Sequence, residues 1–142
     1  MQPDKKNALT TVFAMVAGTV IVSVAVKKAS HGHPPCPEKI LARTSSKLNQ
    51  TLPKMVDHIT RLDTTVQRPG RIFSYKYTLL GRKAAHLNKE RIKASIAPTL
   101  IQNYKTNPAM AGLRGLSTVL KYAYFDEAGA FIFDLEIDPK TF

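Results

Sequence analysis

The 142-residue chain carries 21 lysines and arginines against ten acids, a net charge of +11, and one cysteine, Cys36. This length leaves room for one compact domain with a single modest core. The lone cysteine excludes an intrachain disulfide and a cysteine-based metal cluster.

The first element is Ala8 to Val26, nineteen uncharged residues flanked by Lys5-Lys6 and Lys27-Lys28. As a helix it measures roughly 28 Å, just enough to cross a hydrocarbon core. A run with no polar face is disfavoured as a helix of a soluble core. Two readings compete. A cleaved signal peptide would use Lys5-Lys6 as its basic start and Ser23-Val24-Ala25 as its small-residue site. A retained anchor accounts better for the length of the run. Lysines at both ends leave the charge asymmetry weak, and a short leading tail ordinarily stays inside. Residues 1–28 are therefore expected to form a cytoplasmic tail and a transmembrane helix spanning Ala8 to Val26. The domain would then face the periplasm from a bacterial inner membrane, or be periplasmic or secreted after cleavage.

Residues 29–37 read as a linker, because Pro34, Pro35 and Pro37 forbid regular helix and favour an extended spacer. His31, His33 and Cys36 lie there without a downstream ligand pair, so no metal site is expected. No cofactor motif occurs along the chain.

Residues 38–142 form the expected domain. Glu38 to Leu52 reads as a helix with Ile40, Leu41, Leu48 and Leu52 as its apolar stripe, stopped by Pro53. Thr60 to Val66 alternates as a strand with Thr60, Leu62, Thr64 and Val66 on one face, and Pro69-Gly70 reverses the chain. Arg71 to Leu79 then places Phe73, Tyr75, Tyr77 and Leu79 on one face and Ser74, Lys76 and Thr78 on the other.

After the basic connection Gly81-Arg82-Lys83, a second helix is expected from Asn88, as its N-cap, to Lys105. Ile92, Ile96, Leu100, Ile101 and Tyr104 form its buried face, and Pro98 should kink it. A short turn of helix between Ala109 and Leu116 leads to a second hairpin. There Thr118, Leu120, Tyr122 and Tyr124 face Phe131, Phe133, Leu135 and Ile137 across Asp126-Glu-Ala-Gly129. The expected fold class is α+β, in the order α-β-β-α-β-β, with a four-stranded antiparallel sheet covered on one face by the helices.

The stretch Leu52-Pro53, Val56-Asp57, Thr60-Arg61-Leu62-Asp63, Pro69-Gly70 and Tyr75-Lys-Tyr77-Thr78-Leu79 resembles a pattern in an uncharacterised family of small bacterial envelope proteins. Those proteins are similar in pairing an N-terminal hydrophobic segment with a domain of this size, and the likeness runs from about Asn49 to Ile137. The resemblance implies a bacterial origin and an envelope location, but no activity. Family members often carry cysteines near the end of the second helix and at the C-terminus. Here those regions read Asn103-Tyr104-Lys105 and Lys140-Thr141-Phe142, so no equivalent bridge can form.

Charge gives the remaining clue. Lys27 to Phe125 holds 18 cations and four acids, whereas five acids follow at Asp126, Glu127, Asp134, Glu136 and Asp138. A basic body of this kind suits an anionic membrane, nucleic acid or an acidic protein, or serves solubility alone. Tyr75, Tyr77, Tyr122 and Tyr124 amid cations could stack bases, but they share their faces with Phe73 and Leu79, which favours core packing. Arg61 and Asp63, two apart on one strand, are expected to form a structural ion pair. Asp57 and His58 are adjacent and point opposite ways on an extended chain, so they make no dyad.

These residues predict a non-enzymatic, single-pass envelope protein binding another envelope or secretion-machinery component. The competing expectation is a cleaved periplasmic inhibitor or immunity-type protein. Arg82 and Lys83 are the leading partner-binding residues, with Arg68 and Arg71 at the other end of the strand, ~30 Å away.

Overall fold

The computed structural model describes residues 35–142, so the anchor at Ala8 to Val26 and the histidines of the linker lie outside the described residues. None of the described helices is long and apolar enough to cross a membrane. Helix α1 (Pro37–Asn49) is followed by strands β1 (Lys54–Met55), β2 (Thr60–Arg68) and β3 (Ile72–Leu79). Helix α2 (Lys89–Thr106) and the short α3 (Ala111–Gly115) precede β4 (Val119–Asp126) and β5 (Phe131–Ile137). The fold is α+β, as expected from the sequence.

The sheet differs from expectation. It has five strands in the order β1-β2-β3-β4-β5 and is mixed, because β4 runs parallel to β3 while the other neighbours are antiparallel. The cause is the long connection between β3 and β4. It contains α2, which returns the chain to the starting end of β3, so the next strand must run in the same direction. β1 is only two residues long, below what alternation can reveal.

Helix α1 starts one residue before Glu38, at Pro37, whose fixed φ and missing N–H suit a first helical position. It ends at Asn49 instead of Leu52, ahead of Pro53, and the Asn49 side chain bonds to the main chain of Thr65 in β2. Asn88 caps α2 by accepting from the Arg91 amide at 2.9 Å. Ile92, Ile96, Leu100 and Tyr104 bury one face of α2, and the helix continues through Pro98, whose ring is exposed.

The helices cover one sheet face. At its centre the parallel register of β3 and β4 sets Tyr75 beside Tyr122 and Tyr77 beside Tyr124, each pair stacked with ring centroids 5.1 Å apart. Phe73, Tyr104 and Phe133 extend this aromatic layer, and Leu41 of α1 is wholly buried in the same core. The tyrosine rings are thus packed inside, where no nucleic acid base can reach them.

Two bulges shift the alternation. The β2 ladder slips between Leu62 and Thr64, leaving Asp63 unpaired across the strand. Thr65 turns inward as a result, and Val66 outward to 44% exposure. A second slip between Tyr124 and Phe125 turns Phe131 outward, at 51% exposure, and leaves Ile132 buried in its place.

Candidate interaction surface

The face of the sheet opposite the helices is built from the alternate residues of each strand. Its rows follow from the register: Val66, Ser74, Lys121 and Glu136; then Thr64, Lys76, Ala123 and Asp134; then Arg61, Thr78, Phe125 and Phe131. These positions are mostly half-buried or exposed, whereas their sequence neighbours on β3 and β4 are buried. Both ion pairs of the described residues lie here, Arg61 with Asp63 and Lys121 with Asp134 at 3.3 Å. Asp63 also accepts from the Thr78 hydroxyl, so the expected Arg61–Asp63 pair bridges β2 to β3. Lys76 lies over the Phe125 ring, 4.8 Å from its centroid. Exposed pairs of this kind contribute about 1 kcal/mol or less apiece.

The four cations singled out from the sequence lie at the two ends of β3, separated by roughly 26 Å of strand. Arg68 and Arg71 flank the turn at Pro69-Gly70, and both are exposed. Arg71 has φ of 60° and Gly70 of 85°, and the Gly70 amide donates to Glu38 of α1 at 3.1 Å. The Arg71 carbonyl accepts from Val119, and its guanidinium donates to the Leu116 carbonyl at 3.3 Å. Arg71 therefore ties the hairpin tip to the start of β4, so less of it is free for a partner.

Arg82 and Lys83 occupy a different setting. Beyond β3, the Gly81 amide donates to Glu127 at 3.2 Å and the Ala84 amide donates to Asp126 at 3.0 Å. The two carboxylates of the β4–β5 turn therefore hold the main chain on both sides of the cation pair. Arg82 and Lys83 are exposed, and among the described residues neither forms an ion pair. Asp126 is buried, and amides from Ala84 and then Ala130 hold its carboxyl below the usual range. In the sequence Asp126 and Glu127 read as part of the hairpin turn and as charge, and not as this clamp. Their place in the Asp-Glu-Ala-Gly turn was the available signal, since such residues bond nearby main-chain amides.

Other polar residues have structural roles. One Asp57 oxygen accepts from the amides of Ile59 and Thr60 at 2.8 Å each, closing a turn, while His58 is exposed. Cys36 is exposed at the start of α1. Among the described residues no three histidine, cysteine or acidic side chains converge as metal ligands.

No protein-family model matches the chain, and no curated protein sequence does. The fold itself has solved counterparts. A candidate secreted protein of Pseudomonas aeruginosa superposes with a TM-score of 0.60 at 13% identity, over 74% of this chain and 91% of its own. EpsS, the pilotin of the Vibrio vulnificus type 2 secretion system, gives 0.57 at 10% identity, covering 74% and 90%. AspS, a type II secretion system pilotin of Vibrio cholerae, gives 0.55 at 10% identity, covering 75% and 92%. At these identities the likeness defines the fold alone.

Proposed function

We propose that this chain is an envelope protein whose α+β domain, residues 38–142, binds another envelope or secretion-machinery component and catalyses no reaction. The observation that carries the reading is a fold shared with two type II secretion pilotins over about nine-tenths of their chains. The surface chemistry agrees with it, because Arg82 and Lys83 stand exposed, without an ion pair among the described residues, on a main chain held from both sides. The apolar run from Ala8 to Val26 supplies the route to the membrane and retains the domain there. The partner surface is acidic where it meets these two cations.

The test is capture of the epitope-tagged full chain from detergent-solubilised membranes, alongside the double variant Arg82→Glu, Lys83→Glu. The reading expects an envelope protein to co-purify with the parent chain, more weakly as salt rises. The variant should lose it while its thermal midpoint stays within a few degrees. A partner retained by the variant at high salt would assign the basic connection to solubility. A mature form beginning at Val26 in the soluble fraction would favour instead the processed, periplasmic or secreted alternative, for which the candidate secreted neighbour gives some support.

A further inference from the structure

The two edges of the sheet are treated differently. On the β2 edge, β1 pairs only with Arg61 and Leu62. Three residues further on, α1 takes over: Asn49 accepts from the Thr65 amide at 2.8 Å, and Asn49 and Ser45 both donate to the Thr65 carbonyl at 2.9 Å. A strand, then two helix side chains, thus occupy hydrogen-bonding groups of that edge as far as Thr65. Such cover is a standard protection against edge-to-edge association.

β5 has no equivalent. It pairs with β4 on one side, and among the described residues no hydrogen bond reaches the main chain of Phe131–Ile137 from the other. Every second residue of this seven-residue strand therefore presents an unpaired amide and carbonyl on the free edge. The strand's outward side chains are chemically distinct from the rest of the domain. Phe131 is 51% exposed, Asp134 is half-buried against Lys121, and Glu136 is exposed with no ion pair among the described residues.

That pattern argues against a second copy of the chain as occupant. Antiparallel pairing of β5 with itself, centred on Asp134 or on Leu135, sets Asp134 opposite Asp134 or opposite Glu136. Like charges directly across a strand pair are destabilising. The same side chains favour an added strand that carries cations opposite them.

We propose that the free edge of β5 is a strand-addition site for an extended partner segment. The segment bears lysine or arginine at two alternate positions, facing Asp134 and Glu136, and an apolar side chain where it meets Phe131. Main-chain hydrogen bonds supply the attachment, and the alternating side chains supply register and selectivity. The site lies on an edge strand whose first residue follows the turn that clamps Arg82 and Lys83, but its acidic residues, Asp134 and Glu136, have chemistry opposite to theirs. It therefore stands or fails independently of the partner surface assigned above.

The probe is a blocked nine-residue peptide of threonine and valine with lysine at two alternate central positions and a terminal leucine. Two controls accompany it: the same peptide with glutamate for lysine, and the lysine peptide N-methylated along one edge. Binding is read by fluorescence anisotropy with the full chain in detergent, and its location by amide hydrogen exchange. The proposal expects the lysine peptide to bind and to slow exchange within Phe131–Ile137. The glutamate and N-methylated peptides should bind at least tenfold more weakly.

Glu136→Lys, a change at an exposed position, should weaken the lysine peptide by roughly 3- to 10-fold by turning attraction into repulsion. Equal binding of the lysine and glutamate peptides would overturn the proposal, as would binding of the N-methylated peptide or unchanged exchange in β5. Exchange in β5 that slows with protein concentration alone would overturn it in favour of self-association.

Discussion

Raising the pH tests the aromatic core directly, because all five tyrosines of the chain lie in the described domain and all are buried. Burial pushes the phenols of Tyr75, Tyr77, Tyr122 and Tyr124 far above the ordinary value of 10.0, and that of Tyr104 to about 12. The folded state therefore holds protons that the unfolded chain releases. Each raised tyrosine contributes stability that is intact below pH 10 and lost as pH climbs toward its folded value. One proton of difference is worth about 1.4 kcal/mol per pH unit.

Five such groups remove roughly 7 kcal/mol by about pH 11, and nearly twice that by about pH 12. Small domains are stable by about 5–15 kcal/mol, so one near the middle of that range, at about 10 kcal/mol, unfolds between those two values. The assay follows tyrosinate absorbance and far-ultraviolet circular dichroism through the same alkaline titration. The chain has no tryptophan, so the absorbance reports these five rings alone. Both signals should move together in one steep transition. Tyrosines that ionise gradually near pH 10 while the dichroism stays native would refute the buried stack.

Single substitutions separate the remaining contributions. The Tyr75 hydroxyl is buried with no partner among the described residues, whereas that of Tyr104 donates to the Thr118 carbonyl at 2.7 Å. Tyr75→Phe should be neutral or stabilising and Tyr104→Phe should cost about 1–2 kcal/mol in chemical denaturation; the reverse order would show the hydroxyls misassigned. Gly70→Val should cost about 1–3 kcal/mol through its positive φ, since no atom lies within 4 Å of the added Cβ, whereas Lys76→Ala should cost about 0.5 kcal/mol or less. Because the Asp126 carboxyl is held below its ordinary value of 3.8, its contribution is present above that pH and fades as acid is added. Asp126→Asn should therefore lower the thermal midpoint at neutral pH and flatten its decline below about pH 4; parallel acid profiles would contradict the clamp.

Much of this fold was legible because alternation and helical spacing report burial directly. Phe73, Tyr75, Tyr77 and Leu79 fall on the buried face read from the sequence, and so do Ile92, Ile96, Leu100 and Tyr104. The bulges were not legible. A one-residue slip exchanges the faces of everything beyond it, so Thr65 replaces Val66 inside and Ile132 replaces Phe131. The parallel pairing of β3 and β4 was missed for another reason. Two hairpin-like stretches suggest an antiparallel sheet, and only the position of α2 between them reverses that expectation. At the candidate surface, the exposure of Arg82 and Lys83 followed from their place on a polar connection. Their fixing by Asp126 and Glu127 did not, because it joins residues more than forty positions apart.

Partner binding through the basic connection is most directly tested by photo-crosslinking in intact cells. A photoreactive residue replaces Arg82 or Lys83 in the full chain, and the exposed Ala42 and Lys47 of α1 serve as controls. The account predicts one discrete adduct with an envelope protein from positions 82 and 83, and none from 42 or 47. Adducts confined to α1, or none from the basic connection in cells where the chain is membrane-bound, would contradict it.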